Sequence, residues 1–420
     1  MKRGYRYRIY PNKEQINLLE QHFGSVRFIY NRSLFIKNTM YSKFKINVTE
    51  VDLNNNLTSL KEQYLWLKDL NSQSLQQANR NLLTGFKNFF EGNGRYPTKK
   101  SKRNNNLSFQ VPQNYQINLT TSKIYLPKIG WIKIVLHRDF LDKEFIKNEL
   151  VTKEVNGELI LDQKLNKKFN ILKTLTVSRT SAGRYHVSIL IDDHVPEPIP
   201  VEFHETTTIG IDIGIKSFAI LSSGEVIDNP KFLKKSLKKL KKLQRAVSRK
   251  KISSKNRKKA VLKLAKHHQL IANQRNDFQH KVSIKIISES QAVCLEDLNV
   301  SGMIRNHKLA QAISDVGWSE FIRKLTYKAE WYGKTILRIG RFDASSKLCN
   351  VCGYKKENLT LNDREWECPT CKTLHDRDVN AAINIKNIAL NNLNTVGTTE
   401  RACGLTGISQ RYEARSHSIY

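Results

Sequence analysis

The 420-residue chain has few acidic residues for its length: 38 Asp and Glu stand against 71 Lys and Arg, so that the formal net charge at pH 7 is +33. No stretch approaches the ~18 consecutive apolar residues of a membrane-spanning helix, which argues against a membrane protein. Cysteine is scarce, with six residues, and this excludes a disulfide-dense scaffold. No apolar segment follows the basic opening residues, so we expect no export signal.

What the sequence does contain is enough apolar material for a folded protein. Hydrophobic residues make up 39% and aromatic residues 9% of the chain, which suffices for the cores of roughly two to four domains. A charge of +33 is far more than solubility requires and indicates a polyanionic partner. Nucleic acid is the first choice. A membrane surface is the alternative, but no basic amphipathic helix carries a bulky apolar face.

Three carboxylates lie where apolar or neutral residues are expected. Asp212 interrupts the buried strand pattern Ile-Gly-Ile-Asp-Ile-Gly, Glu296 ends a second apolar strand, and Asp378 begins the last helical pattern. A buried acid is costly unless a cation accompanies it. Alone, each has a simpler explanation as a turn or cap residue, a salt-bridge partner or the N-cap of the final helix. Together they predict one metal site.

The chemistry of that site follows from its ligands. Carboxylate oxygens without nearby His or Cys suit Mg²⁺ or Mn²⁺. Two such ions, about 3.5–4 Å apart, activate water on one side of a scissile phosphate and stabilise the leaving oxygen on the other. The predicted reaction is therefore phosphodiester hydrolysis.

Four cysteines form two Cys-x-x-Cys pairs with the spacing of a zinc ribbon: Cys349, Cys352, Cys368 and Cys371. Four thiolates favour zinc and leave no open position, so one structural Zn²⁺ is expected. Unligated cysteines, an iron–sulfur cluster and redox disulfides are the alternatives, and Cys294 and Cys403 are expected to be plain thiols. Between the pairs, Trp366 and Arg364 could stack on a base, or Trp366 could pack in the ribbon core.

One stretch of the chain is intensely basic. Residues 231–275 hold 18 Lys or Arg and no Asp or Glu, with leucines at helical spacing and a Ser-Ser break near 253, which predicts a helical hairpin. Such a run can be a solvated face, but like charges at this density repel one another without a counter-polyanion. The predicted nucleic-acid contacts are Lys234, Lys238, Lys241, Lys242, Arg245, Arg249 and Lys250. A second set lies in a basic loop: Lys99, Lys100, Lys102 and Arg103.

The first half of the chain divides into a helical and a strand-rich part. Residues 2–10 alternate like a strand, Asn12 and Gln15 resemble a capping box, and helical patterns continue to about residue 92. On the helix over 72–91, the polar face carries Gln76, Gln77 and Arg80, which could read base edges or form an ordinary solvated face. Short alternating strands between 107 and 191 predict an antiparallel barrel or sandwich.

The second half predicts a mixed sheet. Strands are expected around 208–214, 218–223 and 225–228 as a meander, then at 292–298 and 335–341. An amphipathic helix with Trp318 and Phe321 on its apolar side precedes the last of these strands, and Gly333 is its stop signal.

These motifs together resemble the TnpB family, the insertion-sequence proteins related to type V CRISPR effectors, over nearly the full length. The resemblance rests on the following segments: Gly210-Ile-Asp-Ile-Gly214, Cys294-Leu-Glu-Asp-Leu298, the four cysteines, Asp376-Arg-Asp-Val-Asn-Ala-Ala382, Arg8-Ile-Tyr-Pro-Asn-Lys-Glu-Gln15, Gly24-Ser-Val-Arg-Phe-Ile-Tyr-Asn31, Phe86-Lys-Asn-Phe-Phe90 and Ser314-Asp-Val-Gly-Trp318.

The resemblance implies a multidomain α/β fold: a ribonuclease-H-like RuvC nuclease domain with an inserted zinc ribbon, a β-barrel wedge domain and a helical recognition domain. The expected boundaries are 1–10 for the first wedge strand, 11–95 for the recognition domain, 96–203 for the wedge barrel, 204–345 for the RuvC domain with its basic hairpin at 231–290, 346–375 for the ribbon that binds target nucleic acid, 376–390 for the final RuvC segment and 391–420 for a disordered tail.

The resemblance also implies a function. The family cleaves double-stranded DNA that is selected by a guide RNA from the transposon end, beside a short motif that the protein reads. The family's acids map onto Asp212, Glu296 and Asp378, with Asp378 rather than Asp376 as the third, and two Mg²⁺ or Mn²⁺ ions are expected there. We expect a monomer in the RNA complex, in the prokaryotic cytoplasm at the nucleoid and without a membrane partner. The alternatives are a nuclease-inactive or guide-independent nucleic-acid-binding regulator, and a structure-specific nuclease.

Overall fold

The structure is a computed structural model that describes residues 1–102, 107–137, 152–155, 157–162, 172–341, 343–360 and 363–394. The chain forms two compact units, of which the first spans Met1–Pro196 and the second begins at Glu197. Arg103, Cys403 and residues 395–420 of the expected tail lie outside the described residues. No helix of the described part is long and apolar enough to span a membrane.

Unit 1 begins with a strand and then forms three helices. The helices are α1 (Lys13–Phe44), α2 (Glu50–Gln63) and α3 (Ser72–Phe90), with a 3₁₀ turn at Leu65–Leu67. The capping box at the start of α1 is confirmed: Gln15 N donates to Asn12 Oδ1 at 2.8 Å, and Asn12 N donates to Gln15 Oε1 at 3.0 Å. These bonds satisfy backbone donors that the first helical turn leaves free.

The strands of unit 1 pair in one antiparallel sheet. They are β1 (Lys2–Tyr10), β2 (Leu107–Val111), β3 (Gln116–Asn118), β4 (Lys123–Leu126), β5 (Gly130–Val135), β6 (Thr152–Val155), β7 (Glu158–Asp162), β8 (Leu172–Arg179) and β9 (Tyr185–Asp192). Their order is β2-β8-β9-β1-β5-β4-β3-β7-β6. The predicted strand at 2–10 is confirmed. The described pairings do not join β2 to β6, so closure into a barrel stays a prediction.

Unit 2 is built on a five-stranded mixed sheet. Its strands are β10 (Thr208–Ile213), β11 (Ser217–Leu221), β12 (Val226–Asp228), β13 (Ala292–Glu296) and β14 (Thr335–Ile339). The order is β12-β11-β10-β13-β14; the first three strands are an antiparallel meander, as predicted, and β10, β13 and β14 run parallel. The helices are α4 (Phe232–Ser248), α5 (Lys255–Glu289), α6 (Val300–Met303), α7 (Ala310–Val316), α8 (Trp318–Tyr332) and α9 (Arg377–Asn394).

The two faces of this sheet pack against different helices. Side chains alternate along a strand, so Val293 and Leu295 of β13 join a core with residues of α5 and α8, while Cys294 packs with Ile385 and Ala389 of α9. The alternation places Glu296 on the same face as Cys294. On β10, Gly210 and Asp212 likewise share the face that α9 covers, since Gly210 contacts α9.

Gly210 permits that contact. A Cβ at this position would collide with the carbonyl oxygen of Ala382 and would lie 2.9 Å from the backbone nitrogen of Lys386. Backbone atoms of a helix cannot move aside separately, so only glycine lets α9 lie this close to the strand. The first turn of α9, which carries Asp378, is thereby brought to the strand that carries Asp212.

The Ser314–Trp318 segment anchors the basic hairpin. The buried carboxylate of Asp315 accepts from Leu233 N at 2.9 Å and Lys234 N at 3.2 Å, which caps α4. Gly317, with φ +70°, turns the chain between α7 and α8. The hairpin itself, with α4 and α5 separated near residue 253, is confirmed.

The cysteine module carries a small two-stranded sheet, β15 (Glu365–Glu367) and β16 (Leu374–Asp376), which leads directly into α9. The helix extends to Asn394, four residues beyond the expected end of the final RuvC segment at 390. The expected start of the disordered tail at 391 is therefore wrong, because residues 391–394 continue the helix.

Candidate functional site

The three predicted carboxylates come from three elements that meet at one edge of the unit 2 sheet. β10 and β13 are parallel neighbours in the register Gly210 to Cys294 and Ile211 to Leu295. The next pair in this register is Asp212 and Glu296, at the carboxyl ends of both strands. Asp378 lies in the first turn of α9, which packs over the same face.

Electrostatics show that the three acids lie close to one another. Burial raises the pKa of Asp212 to about 7, and the negative charges of Glu296 and Asp378 add to the rise, against a smaller opposing effect of Arg377. A carboxylate that is buried beside two others cannot ionise easily without a compensating cation. Perturbation by burial and by specific charges together is typical of a functional site.

Two arginines hold Asp378. Arg364 Nη1 donates to Asp378 Oδ2 at 2.9 Å, while Arg377 Nη2 and Nε donate to Oδ1 at 2.8 and 3.0 Å. The helix cap is a different residue: Asp376 Oδ1 accepts from Asp378 N and Val379 N, each at 2.9 Å. The simple explanation of Asp378 as the N-cap is therefore wrong, because Asp376 fills that role and leaves the Asp378 carboxylate directed at the arginines.

Glu296 is held by a residue that the sequence did not single out. Ser345 Oγ donates to Glu296 Oε1 at 2.6 Å, and the carbonyl oxygen of Ser345 accepts from Asn384 Nδ2 at 2.7 Å. One turn earlier on α9, Asn380 Nδ2 donates to Leu348 O at 2.7 Å. The sequence indicated these contacts only indirectly, because Asn380 and Asn384 are two polar residues four positions apart on an otherwise apolar helix face.

The donor chemistry of this edge suits a hard divalent cation. All three candidate ligands are carboxylates, and the pKa of Asp212 is raised by burial first and by the negative charges of Glu296 and Asp378 second. In the described residues, the only group of three or more His, Cys, Asp or Glu with ligand atoms close enough to share one ion is the cysteine cluster. The three carboxylates are thus neighbours, but two of them already form hydrogen bonds within the protein. Glu296 accepts from Ser345, and Asp378 accepts from the two arginines.

The four predicted cysteines do converge. Their sulfur atoms all lie within 4.8 Å of one another, with Cys349 Sγ 3.6 Å from Cys371 Sγ and Cys352 Sγ 3.5 Å from Cys368 Sγ. A tetrahedral Zn²⁺ with Zn–S bonds of ~2.3 Å needs sulfurs ~3.8 Å apart, so the cluster fits zinc. By contrast, Cys294 is buried at β13, where burial raises its thiol pKa to about 12, as expected for an inert thiol.

Trp366 belongs to the ribbon core. Its side chain is 3% exposed, its ring centroid lies 4.7 Å from that of His375, and it packs with Cys349 and Cys368. The suggestion that Trp366 stacks on a base is therefore wrong, because burial in the ribbon leaves no open ring face for a base. Arg364, 45% exposed, bonds to Asp378 instead.

The predicted cations of the basic hairpin are exposed. All seven side chains lie on the solvent side of α4 or just beyond its end, and none forms an ion pair within the described part of the chain. Leu240 is the one fully buried residue of α4, so a single narrow apolar seam holds this helix to α5. The hairpin therefore presents uncompensated positive charge.

The second basic set is partly described. Lys99, Lys100 and Lys102 are exposed. The Lys100 ammonium lies 4.0 Å from the centre of the Tyr30 ring, and Lys100 N donates to Asn31 Oδ1 at 2.8 Å. This part of the predicted loop is therefore fastened to α1.

The predicted base-reading residues line a polar cleft of unit 1. Gln76, Gln77 and Arg80 border a cavity of about 170 Å³, together with Glu50, Asn54, Gln73, Pro112 and Gln113. Gln76 is exposed, Gln77 Nε2 donates to Asn81 Oδ1 at 3.1 Å, and Arg80 pairs with Glu50 at 3.0 Å. The face is thus concave and lined with hydrogen-bonding groups.

Comparison with known proteins identifies the family. A Streptomyces pristinaespiralis protein named "Putative RNA-guided DNA endonuclease" is 37% identical over 418 residues, which cover 99% of this chain and 94% of that protein. Three family profiles match: "Probable transposase" of the IS605 OrfB type at 188–307, "Cas12f1-like, TNB domain" at 318–385 and "Helix-turn-helix domain" at 1–45. The chain belongs to the TnpB family.

A second TnpB relative and one solved structure extend the comparison. The Escherichia coli K12 protein "Putative RNA-guided DNA endonuclease InsQ" is 30% identical over 399 residues, 91% of each chain. The "Cryo-EM structure of the Cas12f1-sgRNA-target DNA complex" aligns with a TM-score of 0.52 and 19% identity, over 89% of this chain and 82% of that one. At this identity the likeness shows a shared fold.

The profile matches coincide with the candidate TnpB sites. The transposase profile contains Asp212 and Glu296, and the TNB profile contains all four cysteines and Asp378. The helix-turn-helix profile covers β1 and α1, where residues 13–44 form one continuous helix in this structure.

Proposed function

We propose that this TnpB-family protein is an RNA-guided endonuclease that hydrolyses double-stranded DNA in a transposable element, and that unit 2 is a ribonuclease-H-like RuvC domain. One observation carries the proposal: two carboxylates end adjacent parallel strands on the face covered by α9, which adds a third. Burial first, and the charges of Glu296 and Asp378 second, raise the pKa of Asp212 to about 7. The near-full-length relatives, whose names specify RNA-guided DNA endonucleases, support the substrate and the guide.

In this proposal Asp212, Glu296 and Asp378 hold the catalytic cations. Two bound Mg²⁺ or Mn²⁺ ions supply water activation and stabilisation of the leaving oxygen. Ser345 orients Glu296 through its 2.6 Å hydrogen bond. Arg364 is the more exposed of the two arginines that bond to Asp378, and its guanidinium suits a phosphate oxygen of the DNA as well as a carboxylate.

Selection of the target is assigned to other surfaces. Base pairing between the guide and one DNA strand reads the sequence, so the protein needs to grip backbone and read only a few base pairs. The exposed cations of α4 suit RNA or heteroduplex phosphates. The cleft with Gln76, Gln77 and Arg80 offers amides and a guanidinium for the edges of bases in the adjacent motif.

The cysteine cluster is proposed to bind one Zn²⁺ with a structural role. His375 supports this assignment, since its Nε2 lies 3.1 Å from Cys349 Sγ and can donate to a thiolate. β16 continues directly into α9, so an ordered ribbon helps to position Arg364 and Asp378.

The test uses protein produced together with the flanking DNA of its gene. The purified complex is mixed with Mg²⁺ and a plasmid library that carries a guide-matched target beside randomised bases. Asp376→Asn and Asp378→Asn are a matched pair: asparagine remains a good N-cap at 376, whereas at 378 it removes a proposed cation ligand.

We expect wild type and Asp376→Asn to cleave, and Asp378→Asn to bind RNA without cleaving. Cleavage by Asp378→Asn at the wild-type rate would refute the assignment of the acids. Binding of the target without cleavage by wild type would indicate a regulator, and cleavage without RNA would indicate a structure-specific nuclease.

A further inference from the structure

Unit 1 has a second cleft that the proposed function does not use. It lies between α1 and the 3₁₀ turn after α2 and has a volume of about 340 Å³. This is at the lower end of the ~300–1,000 Å³ of small-molecule sites. The lining residues are Gln21, Gly24, Ser25, Trp66, Asp69 and Leu70.

Gly24 leaves space in the cleft that a ligand could occupy. Glycine inside a helix costs ~1 kcal/mol relative to alanine, and Gly24 lies well inside the 32-residue α1. A Cβ there would meet nothing closer than the Arg27 guanidinium, 4.0 Å away. Protein packing therefore does not require glycine at this position. What the missing side chain leaves open is space in the cleft.

Trp66 supplies a flat apolar wall. Its side chain is 45% exposed. Phe28 and Tyr64 hold the indole edge-to-face, with ring centroids at 5.5 and 6.1 Å. The ring is thus fixed in place while part of it faces solvent, an arrangement that suits stacking with another planar ring.

The polar groups of the cleft are available. In the described residues, the side chains of Asp69 and Gln21 form no hydrogen bond or ion pair, although the chain carries a charge of +33. Ser25 is already used, because its hydroxyl donates to Gln21 O at 2.6 Å. An exposed carboxylate beside an aromatic wall can accept two parallel N–H bonds from a planar ligand.

The walls of the cleft are joined to each other. His22 on α1 accepts from Asn71 N through Nε2 at 3.3 Å and bonds to Leu18 O through Nδ1 at 2.8 Å. Burial lowers the pKa of His22, so the ring stays neutral and keeps this acceptor near pH 7. The segment that carries Trp66 and Asp69 is therefore held against α1 before any ligand arrives.

We propose that this cleft binds a single unpaired guanine base of the nucleic-acid partner, an inference that rests on the proposed function for the existence of that partner. The base stacks on Trp66, and its N1–H and N2–H groups donate to the Asp69 carboxylate. Guanine is the base with two adjacent donors on its Watson–Crick edge. The Arg27 guanidinium, 4.0 Å from where a Cβ of Gly24 would lie, suits a flanking phosphate. The base belongs either to the guide RNA or to a displaced DNA strand.

The test measures binding of fluorescein-labelled nine-mers by fluorescence polarisation with the full chain at one fixed salt concentration. Each oligonucleotide has uracil or thymine at all positions except the central one, which is guanine or hypoxanthine. Hypoxanthine lacks only the N2 amine. Losing one hydrogen bond to a charged group corresponds to about tenfold weaker binding, so we expect guanine to bind about tenfold more tightly than hypoxanthine. RNA and DNA versions distinguish the two sources.

Three variants locate the effect. Gly24→Ala and Asp69→Asn should bring the guanine-to-hypoxanthine ratio close to one, and Trp66→Ala should weaken both ligands by about tenfold. Gly85→Ala is the matched control: it is also inside a helix of unit 1, its Cβ would make an ordinary 3.5 Å contact with Pro97, and it lies outside this cleft. Both alanine variants should raise the melting temperature, but only Gly24→Ala should change the ratio.

Preference for guanine in RNA alone assigns the base to the guide, and preference in DNA alone assigns it to a DNA strand. Equal preference in both supports a site that does not read the sugar. A wild-type ratio of one in both would overturn the proposal, as would a ratio that Gly24→Ala and Asp69→Asn leave unchanged. Affinity for oligonucleotides without guanine and guide-dependent cleavage test the proposed function separately.

Discussion

Asp212 should make the protein less stable as the pH rises, and replacing it with asparagine should remove that effect. Its pKa is 3.8 in an unfolded chain and about 7 in the folded protein, owing to burial first and to Glu296 and Asp378 second. Between these values the folded state holds the proton more tightly than the unfolded state does. Stability is therefore lost as the pH rises from about 4 to about 7, and the loss is complete above the folded pKa.

The size of the effect follows from the same two values. At 1.36 kcal/mol per pH unit, the difference between 3.8 and about 7 corresponds to about 4 kcal/mol against folding at pH 8. At pH 5.5 the folded carboxyl is still protonated, so the cost is about half as large. In buffer without added divalent cation, Asp212→Asn should therefore stabilise unit 2 by about 4 kcal/mol at pH 8 and by about half of that at pH 5.5.

Hydrogen–deuterium exchange of peptides from β10 and β13 measures this locally, because unit 1 does not contribute to them. Asp212→Asn should slow exchange of these strands by about a thousandfold at pH 8 relative to wild type at the same pH. Added Mg²⁺ should reduce the difference, since a bound cation neutralises the wild-type carboxylate. Asp228→Asn, an exposed acid at the end of β12, is the control and should change nothing. A gain from Asp212→Asn that is equal at both pH values, or larger at pH 5.5, would refute the electrostatic explanation.

Three further predictions concern packing, zinc and charge. Gly210→Ala should force α9 away from β10, destabilise unit 2 by ~1–3 kcal/mol or more and abolish cleavage. Gly4→Ala is the control, since a Cβ at Gly4 would meet nothing within 4 Å, and it should have neither effect. Melting curves and cleavage rates test this prediction. Cys368→Ser should lose the bound zinc, measured by atomic emission, and the protection of β15 and β16 from hydrogen exchange. A zinc content equal to that of wild type would contradict a four-cysteine site. Cys294→Ala serves as the control. The RNA affinity should fall as the salt concentration rises, and a plot of the logarithm of the binding constant against the logarithm of salt concentration should have a slope of about −0.7 to −0.9 per neutralised phosphate. Replacing the seven hairpin cations with glutamine should make this slope less steep. A wild-type affinity that does not change with salt would contradict the role of residues 231–275.

Much of the local structure could be predicted because its causes are local. The capping box at Asn12, the break in the basic hairpin near residue 253 and the end of α8 at Gly333 each depend on a few neighbouring residues. The four cysteines were identified by spacing alone, and they do converge. The membership of the TnpB family likewise followed from motifs along the chain.

The sequence by itself thus determined the charge, the order of the elements and the three acids, since these depend on composition, periodicity and motif. Only the tertiary structure decided that Asp376 caps α9 while Asp378 faces two arginines, that Ser345 holds Glu296, and that Trp366 is buried. Each of these outcomes depends on contacts between segments far apart in the chain. Periodicity specifies which face of an element a residue occupies, but tertiary packing decides what lies against that face. The missing Cβ of Gly210 lets α9 contact β10, whereas the missing Cβ of Gly24 leaves space in the cleft.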